Sequence, residues 1–455
     1  MIEKIVDNTN KFKKHNNKEL RKKKGQFFTS INAALFMGQE AAICAASLRI
    51  LDPGAGNGIL GASVVKYCID NHMCSEFMLT FIETDAAVLS VLQETVELLH
   101  AYARQHSCKL EWNIRTENFL TGDIEEKYDI IICNPPYRKI RKNAPEAETM
   151  VKYVYGQPNL YSLFMAKGME LLHENGRFVY ITPRSWVSGD YYKAVRESLL
   201  RNINIRSLLL YKERDSVFTT EDVLQETMIL CAEKSSIQQP VIHLYTVNDD
   251  SFANMTRVDV PAKDIKDIGD NHYLLLPTSR AEVDTIRKMS IIPDTFESLG
   301  YIFKTGPVVE FRNKDYLSNT VGKDTVPMYR SANISSNGLI FPAKVNKPQY
   351  VSASAKRLLI KNDNTVFLRR LSAKEERRRL QSCIYYKQGN SSYISIENHV
   401  NYLVRKDQKP LTKEEVEWIH DILMSEDYDT YYRIVNGSTQ VNAGELNRLP
   451  LQRRA

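Results

Sequence analysis

The tetrapeptide Asn134-Pro135-Pro136-Tyr137 places an amide and a phenol directly after a strand-like run. The preceding residues, 128–133, have the short, branched, apolar composition of a strand covered on both faces, and proline cannot donate a ladder hydrogen bond. The strand is therefore predicted to end at Asn134. Ligands collect beyond the carboxyl ends of strands in open α/β sheets, so Asn134 and Tyr137 are candidates for the rim of a binding cleft. The same Asn-Pro pair is also typical of an ordinary turn.

A second candidate site is the loop Asp52-Pro53-Gly54-Ala55-Gly56-Asn57-Gly58, between a predicted strand and a predicted helix. Glycines at alternating positions let the backbone bend sharply and approach a ligand closely, as nucleotide-binding turns require; a plain tight turn is the alternative. No Gly-Lys-Ser/Thr follows, which excludes a Walker loop, and the spacing departs from the dinucleotide pattern G-x-G-x-x-G. Glu83 ends the next predicted strand, where a carboxylate can accept both hydroxyls of a ribose. Asp85 is predicted to cap the helix that follows.

Strand-like and helix-like runs alternate before about residue 240, which is typical of a parallel sheet covered by helices. The predicted strands are 49–51, 77–82, 128–133, 177–181, 205–211 and 226–232, and the predicted helices are 59–71, 86–105, 160–172 and 191–201. Beyond residue 240 the alternation is lost, leaving short strands at 241–246, 365–370 and 392–396 and a helix at 413–424. We therefore predict a basic N-terminal arm at 1–24, an α/β domain at 25–238 and a mixed α+β domain at 239–455.

The chain is mildly basic, with 61 Lys plus Arg against 55 Asp plus Glu, which permits nucleic-acid binding without requiring it. Eight basic residues fall between Lys11 and Lys24, and such a run is either a solvated arm or a contact for phosphates. The seven cysteines show no metal-ligand or disulfide spacing, so no metal is expected. No apolar run approaches the ~18 residues that span a bilayer, so we expect a cytoplasmic protein without a membrane partner.

Four motifs, in this order and spacing, resemble the adenine-specific, S-adenosylmethionine-dependent DNA methyltransferases of the gamma arrangement, the TaqI type. They are Gly25-Gln26-Phe27-Phe28-Thr29-Ser30, the Asp52 loop, Glu83 and Asn134-Pro135-Pro136-Tyr137. The resemblance covers the first 235 residues. It implies a Rossmann-like α/β methyltransferase domain followed by a mixed α+β target recognition domain, with S-adenosylmethionine as cofactor and double-stranded DNA as partner.

The resemblance also implies roles at the reaction centre. The Asn134 side-chain oxygen and the Pro135 carbonyl would accept hydrogen bonds from the exocyclic amine of a flipped adenine and draw its nitrogen toward an attacking geometry. Tyr137 would stack on one face of that base and Phe218 on the other, because base flipping needs a surface that offsets lost stacking. Pro136 completes the tetrapeptide. A core position in a late hairpin is the alternative for Phe218.

Cofactor contacts are implied in the same way. Thr29 resembles the contact to the methionine moiety, and Phe119 and Phe164 resemble contacts to the cofactor's adenine ring. Family members usually carry an aspartate in place of Asn118, whose amide oxygen can still accept a bond from the adenine amine, though without the charge. The predicted cofactor-binding set is Thr29, Asp52, Gly54, Gly56, Glu83, Asn118, Phe119, Asn134 and Phe164.

Three stretches of the C-terminal half, 367–380, 396–399 and 437–443, resemble the BsuBI/PstI modification-methylase subgroup of that family. Guanidinium groups suit phosphates and guanine edges, whereas Thr, Gln and Asn suit backbone or adenine contacts. The predicted DNA-binding residues are Arg369, Arg370, Arg377, Arg378, Arg379, Thr439, Gln440 and Asn442. For any single arginine, a solvated helix face is the alternative.

Three functions are compatible with these residues. The preferred one is a site-specific DNA adenine methyltransferase, a monomer that serves restriction-modification or epigenetic marking, with any cognate restriction endonuclease on a separate chain. The second is a protein glutamine methyltransferase, because the tetrapeptide also suits a planar amide nitrogen. The long C-terminal half argues against it, since a glutamine site needs no groove reader. The third is a noncatalytic module that binds cofactor or DNA.

Overall fold

Residues Tyr128–Cys133 form the predicted strand in a computed structural model of the chain, which divides into two compact units. Unit 1 comprises Met1–Ser279 and unit 2 comprises Arg280–Ala455. The structure describes residues 1–15, 27–212, 227–235, 237, 239–265, 273–335, 338–373, 375–436 and 439–454. No helix within those ranges is both long enough and apolar enough to cross a bilayer.

The strands of unit 1 join in a single sheet. They are β1 Ser47–Pro53, β2 Glu76–Ile82, β3 Lys109–Arg115, β4 Tyr128–Cys133, β5 Leu172–Pro183, β6 Asn204–Tyr211, β7 Thr227–Glu233, β8 Val241–Val247 and β9 Thr256–Pro261. Their order is β3-β2-β1-β4-β5-β7-β6-β8-β9. Strands β1 to β5 run parallel, whereas β7 is antiparallel to both of its neighbours. The carboxyl ends of β1, β2 and β4 therefore meet at one edge of the sheet.

Helices cover this sheet. The described helices of unit 1 are α1 Ile2–His15, α2 Ile31–Ala41, α3 Ile59–Asp70, α4 Leu89–Gln105, α5 Pro145–Thr149, α6 Leu160–Glu170 and α7 Lys193–Asn202. Ser30 and Asn159 cap α2 and α6 by accepting backbone N–H bonds. The helix cap predicted at Asp85 is wrong, because α4 begins only at Leu89 and Asp85 instead accepts the Ala87 N–H at 3.3 Å in the preceding turn.

Helix α1, Ile2–His15, packs against the rest of unit 1, which differs from the basic arm predicted at 1–24. Ile2 and Ile5 are buried in the core of unit 1, and Asn57 Nδ2 donates to Thr9 Oγ1 at 2.7 Å. Phe12 meets Phe28 edge to face, with ring centroids 6.1 Å apart. One face of α1 is therefore packed beside the glycine loop although its last turn is basic. Residues 16–24 of the predicted arm lie outside the described residues.

The sheet also extends beyond the domain boundary predicted at residue 238. Strand β8 pairs in parallel with β6, and β9 pairs antiparallel with β8. Ile242, Leu244 and Val260 on these strands are buried. The division falls between Ser279 and Arg280 because strands from beyond residue 240 complete the backbone hydrogen bonds of β6.

Unit 2 is built from short strands and helices, as the sequence predicts for the C-terminal half. Its described helices are α8 Arg280–Ser290, α9 Lys413–Leu423, α10 Glu426–Val435 and α11 Ala443–Asn447. Its described strands are β10 Tyr301–Thr305, β11 Leu317–Ser318, β12 Thr325–Tyr329, β13 Ile334–Ser335, β14 Gly338–Leu339, β15 Tyr350–Ser352, β16 Leu359–Lys361, β17 Thr365–Arg369, β18 Ser382–Tyr385, β19 Tyr393–Ile396 and β20 Val400–Arg405. The sheets are β10-β20-β17-β18, β11-β15-β12-β19-β16 and the pair β13-β14.

Candidate functional site

A cavity of about 380 Å³ opens at the carboxyl ends of β1, β2 and β4. The loops after these strands meet there because the strands are parallel. The wall of the cavity contains Thr29, Gly54, Gly56, Glu83, Asn118, Phe119, Asn134 and Phe164. These are the residues of the predicted cofactor-binding set, with the exception of Asp52. The wall also includes Phe27, Phe28, Pro136, Arg138 and Glu146.

The glycine loop forms one part of the cavity wall. Gly54 and Gly56 have φ angles of 71° and 55°, in the left-handed region that glycine adopts most readily. The Gly54 and Ala55 N–H groups donate to the Ile82 carbonyl at 2.8 and 3.0 Å, which ties the loop to β2. A Cβ on Gly54 would come within 3.5 Å of the Phe164 ring across the cavity. The absence of that atom keeps the space clear.

Glu83 holds this loop from the end of β2. Its side chain is 7% exposed, and Oε2 accepts the Gly56 N–H at 2.8 Å while Oε1 accepts the Asp85 N–H at 2.7 Å. Burial raises the pKa of the Glu83 carboxyl, and the two backbone hydrogen bonds oppose that rise. Each carboxylate oxygen retains further lone pairs. Glu83 can therefore hold the loop and accept hydroxyl groups of a ligand at the same time.

Asp52 lies behind the loop. Its side chain is 1% exposed, and Oδ2 accepts the Gly61 N–H at 3.0 Å near the start of α3. The pKa of this carboxyl is raised to about 8, chiefly by burial and to a smaller extent by the charge of Glu83, while the hydrogen bond from the Gly61 N–H lowers it. Asp52 is thus a support for the junction of β1, the loop and α3, which corrects the predicted direct contact with a cofactor.

Asn118 and Glu146 form a hydrogen-bonded pair beside two aromatic rings of the cavity wall. Asn118 Nδ2 donates to Glu146 Oε1 at 3.0 Å, and Asn118 Oδ1 accepts the Leu120 N–H at 2.9 Å. The rings of Phe119 and Phe164 have centroids 4.9 Å apart. Glu146 is absent from the predicted set because it lies 28 residues beyond Asn118 on the five-residue helix α5, where no motif marks it.

Asn134 is fixed by its amide nitrogen. Nδ2 donates to the Phe27 carbonyl at 2.9 Å and to Thr29 Oγ1 at 3.0 Å. These bonds orient the opposite end of the amide, and no donor in the described part of the chain reaches Oδ1. The Pro135 carbonyl likewise accepts no hydrogen bond from a described residue. Two adjacent acceptors are therefore available where β4 ends.

Tyr137 is anchored through its hydroxyl group. Its hydroxyl donates to the Ile181 carbonyl at 3.0 Å, and burial raises the pKa of the phenol well above its usual range. The ring lies near Phe27 and Tyr161, with centroid distances of 5.9 and 6.1 Å. Tyr137 is not part of the cavity wall, so its ring lies beside the predicted cofactor site and not within it. The second predicted stacking residue, Phe218, lies outside the described residues.

A basic loop follows Tyr137 directly. Arg138, Lys139, Arg141 and Lys142 are exposed, whereas Ile140 between them is buried. The Ile140 N–H donates to the Pro158 carbonyl at 3.0 Å, which fixes the backbone of the loop. Within the described ranges none of the four cations forms an ion pair with a carboxylate. No described carboxylate therefore balances the positive charge of this loop. The loop ends five residues after Tyr137, which is at most about 18 Å when the chain is fully extended.

In unit 2 the predicted arginines differ in exposure. Arg379 is fully buried, and its guanidinium lies 5.8 Å from the ring centroid of Tyr432. It therefore supports the fold, and the DNA contact predicted for it is wrong. Arg378 is half-buried and donates to the Ser425 carbonyl at 2.8 Å. Arg369 is half-buried and donates to Gln381 Oε1 at 2.9 Å. Arg377 is exposed. The described residues after β17 form no helix there, so the arginines do not share a helix face.

Two of the predicted DNA-binding segments lie side by side. The Val441 N–H donates to the Arg370 carbonyl at 2.7 Å, and the Ser372 N–H donates to the Thr439 carbonyl at 3.0 Å. Thr439 and Gln440 are exposed beside Arg370, which is half-buried. Asn442 precedes α11 and donates to Glu445 Oε1 at 3.2 Å. Arg370, Thr439 and Gln440 therefore share one surface of unit 2.

Comparison with known proteins identifies the family. Residues 77–218 match the protein family described as Eco57I restriction-modification methylase. The type II methyltransferase M.BsuBI of Bacillus subtilis is 30% identical over 447 residues, which cover 94% of this chain and 88% of that protein. The type II methyltransferase M.PstI of Providencia stuartii is 30% identical over 443 residues, which cover 94% and 87%. Similarity over nearly the full length of both chains shows that the protein belongs to the family of type II restriction-modification methyltransferases, which use S-adenosylmethionine.

Proposed function

We propose that the protein transfers a methyl group from S-adenosylmethionine to the exocyclic amine of an adenine flipped out of double-stranded DNA. The observation that carries this proposal is a pair of acceptors beside the cofactor cavity, Asn134 Oδ1 and the Pro135 carbonyl, which receive no hydrogen bond from the described residues. An exocyclic amine offers two hydrogens to two such acceptors. The aromatic ring of Tyr137 lies three residues from Asn134 and suits a stacked base.

The residues present fit the cofactor. Glu83 offers a buried carboxylate to the ribose hydroxyls, Phe119 and Phe164 offer an apolar wall to the adenine ring, and the glycine loop keeps the space between them clear. The cavity of about 380 Å³ lies in the range typical of small-molecule sites. When bound, S-adenosylmethionine supplies a methyl group on a positively charged sulfur, which departs with the bonding electron pair as a neutral thioether.

The acceptors raise the reactivity of the amine nitrogen. Its lone pair is delocalised into the adenine ring, and hydrogen bonds to Asn134 Oδ1 and the Pro135 carbonyl draw it toward a tetrahedral geometry. The orientation of Asn134 is set beforehand by its bonds to Phe27 and Thr29. Tyr137 stacks on the extruded base and offsets the stacking lost from the duplex. Asn134 Oδ1 and the Pro135 carbonyl would hold the two amine hydrogens while the nitrogen takes the methyl group, and one of those protons would then leave to solvent.

The identity of the methylated base is tested with duplex DNA and a cofactor that carries an isotopic label on the methyl group. The DNA is digested to nucleosides and separated by chromatography. Label is expected in N6-methyl-2′-deoxyadenosine and not in methylated deoxycytidine. Label in cytosine products, or in a glutamine of a protein added in the same reaction, would contradict the proposal. Single-molecule sequencing of host DNA with and without the gene would locate the modified adenines.

Unit 2 is proposed to read the target sequence. The support is the shared surface of Arg370, Thr439 and Gln440, whose polar side chains suit groove contacts. Arg377 is suited to a phosphate contact because it is exposed. A cognate restriction endonuclease on a separate chain is the proposed partner, and a monomer that methylates one strand at a time is the proposed form.

The basic loop of unit 1 supports a DNA substrate as well. Lys139→Gln, Arg141→Gln and Lys142→Gln, made singly, are expected to weaken binding to duplexes of every sequence to a similar extent. Each change should reduce the slope of log affinity against log salt by about one, because each removes one phosphate contact. Arg104→Gln is the matched control, since Arg104 is exposed in the last turn of α4 and absent from the cavity wall. If the salt slopes of these variants equal that of the wild type, the loop does not contact DNA.

A further inference from the structure

The cofactor cavity contains a carboxylate that the sequence motifs do not account for. Glu146 lies in the first turn of α5, is half-buried and forms part of the cavity wall. Phe119 and Phe164 belong to the same wall. A carboxylate that shares a cavity wall with two aromatic rings suits a flat ligand that carries an N–H donor on its rim.

Asn118 fixes the orientation of this carboxylate. Its Oδ1 accepts the Leu120 N–H at 2.9 Å, so the donor end of the amide points the other way. That donor end reaches Glu146 Oε1 at 3.0 Å. One lone pair of the Asn118 oxygen is thus taken by the backbone, and the amide nitrogen donates to Glu146.

The second oxygen of Glu146 has no partner in the described part of the chain. No N–H or hydroxyl donates to Oε2, and no Lys, Arg or His forms an ion pair with the side chain. Arg138, which also belongs to the cavity wall, is not among its partners. One oxygen is therefore held in place while the other remains an acceptor without a donor.

We propose that Glu146 accepts the hydrogen bond from the exocyclic amine of the cofactor's adenine, and that Asn118 is the positioning residue that orients it. This assignment differs from the expected direct contact between Asn118 and that amine. It rests on S-adenosylmethionine as the cofactor and is independent of which DNA base is methylated. The charge that an amide lacks at position 118 is supplied by a carboxylate from a different segment of the chain.

The test compares two ligands in the absence of DNA. S-adenosylhomocysteine carries the amine, whereas S-inosylhomocysteine carries a carbonyl oxygen at the same ring position. By calorimetry the wild type is expected to bind S-adenosylhomocysteine about ten- to a hundredfold more tightly than S-inosylhomocysteine. The second ligand lacks the charge-assisted hydrogen bond and places an oxygen against the carboxylate instead. Glu146→Gln should abolish most of this preference, since its amide can donate to the carbonyl oxygen.

Two further variants complete the test. Glu148→Gln is the control, because Glu148 is exposed on the same short helix and is absent from the cavity wall; it should keep the wild-type preference. Asn118→Ala should reduce the preference severalfold, since Glu146 is no longer oriented. A variant that is only less stable should bind both ligands more weakly by the same factor. Thermal unfolding of the ligand-free variants measures that loss of stability. The proposal is overturned if Glu146→Gln and Glu146→Ala both retain the wild-type preference, or if only Asn118→Ala removes it.

Discussion

Asn134→Ala is expected to lower the rate of methyl transfer by about 100- to 1000-fold, the range observed when one preorganised hydrogen-bonding group is removed from a reaction centre. Asn134 Oδ1 has no partner in the described residues, so its loss removes an interaction made only with the reacting amine. Single-turnover methylation with saturating cofactor and DNA measures this rate. Cofactor affinity, measured by calorimetry, should change far less than the rate.

The bonds from Asn134 to Phe27 and Thr29 require a control of their own. Thr29→Val removes the hydroxyl that accepts from Asn134 Nδ2 at 3.0 Å but retains the bond to the Phe27 carbonyl at 2.9 Å. It should lower the rate much less than Asn134→Ala, because the acceptor oxygen remains. Equal losses in the two variants would mean that Asn134 acts through the position of residues 27–29. If Asn134→Ala keeps the wild-type rate, Asn134 takes no part in methyl transfer.

Glu83→Ala is expected to weaken S-adenosylmethionine binding by about 2 to 4 kcal/mol, because charge-assisted hydrogen bonds contribute about 1.5 to 3 kcal/mol each and two on one carboxylate are only partly additive. The carboxylate is 7% exposed, so solvent screens these bonds little. Titration calorimetry on the full chain measures the loss. Turnover at saturating cofactor should fall far less than affinity, since Glu83 is assigned to the ribose and not to the reacting amine.

Glu83→Gln separates the two tasks of this side chain. A glutamine oxygen can still accept one of the two backbone N–H groups, from Gly56 or Asp85, but its NH₂ group cannot accept the other. An intermediate affinity is therefore expected, together with a smaller loss of thermal stability than in Glu83→Ala. Wild-type affinity in both variants would restrict Glu83 to holding the glycine loop.

The buried part of the sheet could be predicted because its strands carry strong local signals. Strand β4 has the predicted bounds, since an unbroken apolar run meets two prolines. Strand β3 was missed because it lies at the edge of the sheet and most of its residues are exposed or half-buried, which leaves little apolar pattern in Lys109–Arg115. The predicted boundary at residue 238 excludes β8 and β9 from unit 1 for a related reason. Only strand pairing, which is non-local, assigns these strands to unit 1.

The candidate site was predictable to the extent that its residues follow strands. The glycine loop and Asn134 come directly after β1 and β4, and Glu83 comes directly after β2, so the parallel topology brings them together. The Asn118–Glu146 pair follows no such rule, because one partner lies on a short helix whose position depends on tertiary packing. The burial of Arg379 could not be predicted either, because a run of arginines in a sequence is typical of a solvated surface.

The bond between Thr9 and Asn57 has a consequence for the lifetime of the protein in a cell. Through it, helix α1 is attached to a loop residue that belongs to the cavity wall, and Glu83 attaches the same loop to β2. A ligand that orders this loop therefore stabilises the docking of the N-terminal helix as well as the loop itself. Binding to the folded state lowers the population of opened chains that proteases attack. We therefore expect bound methyl donor to make the chain more resistant to proteases.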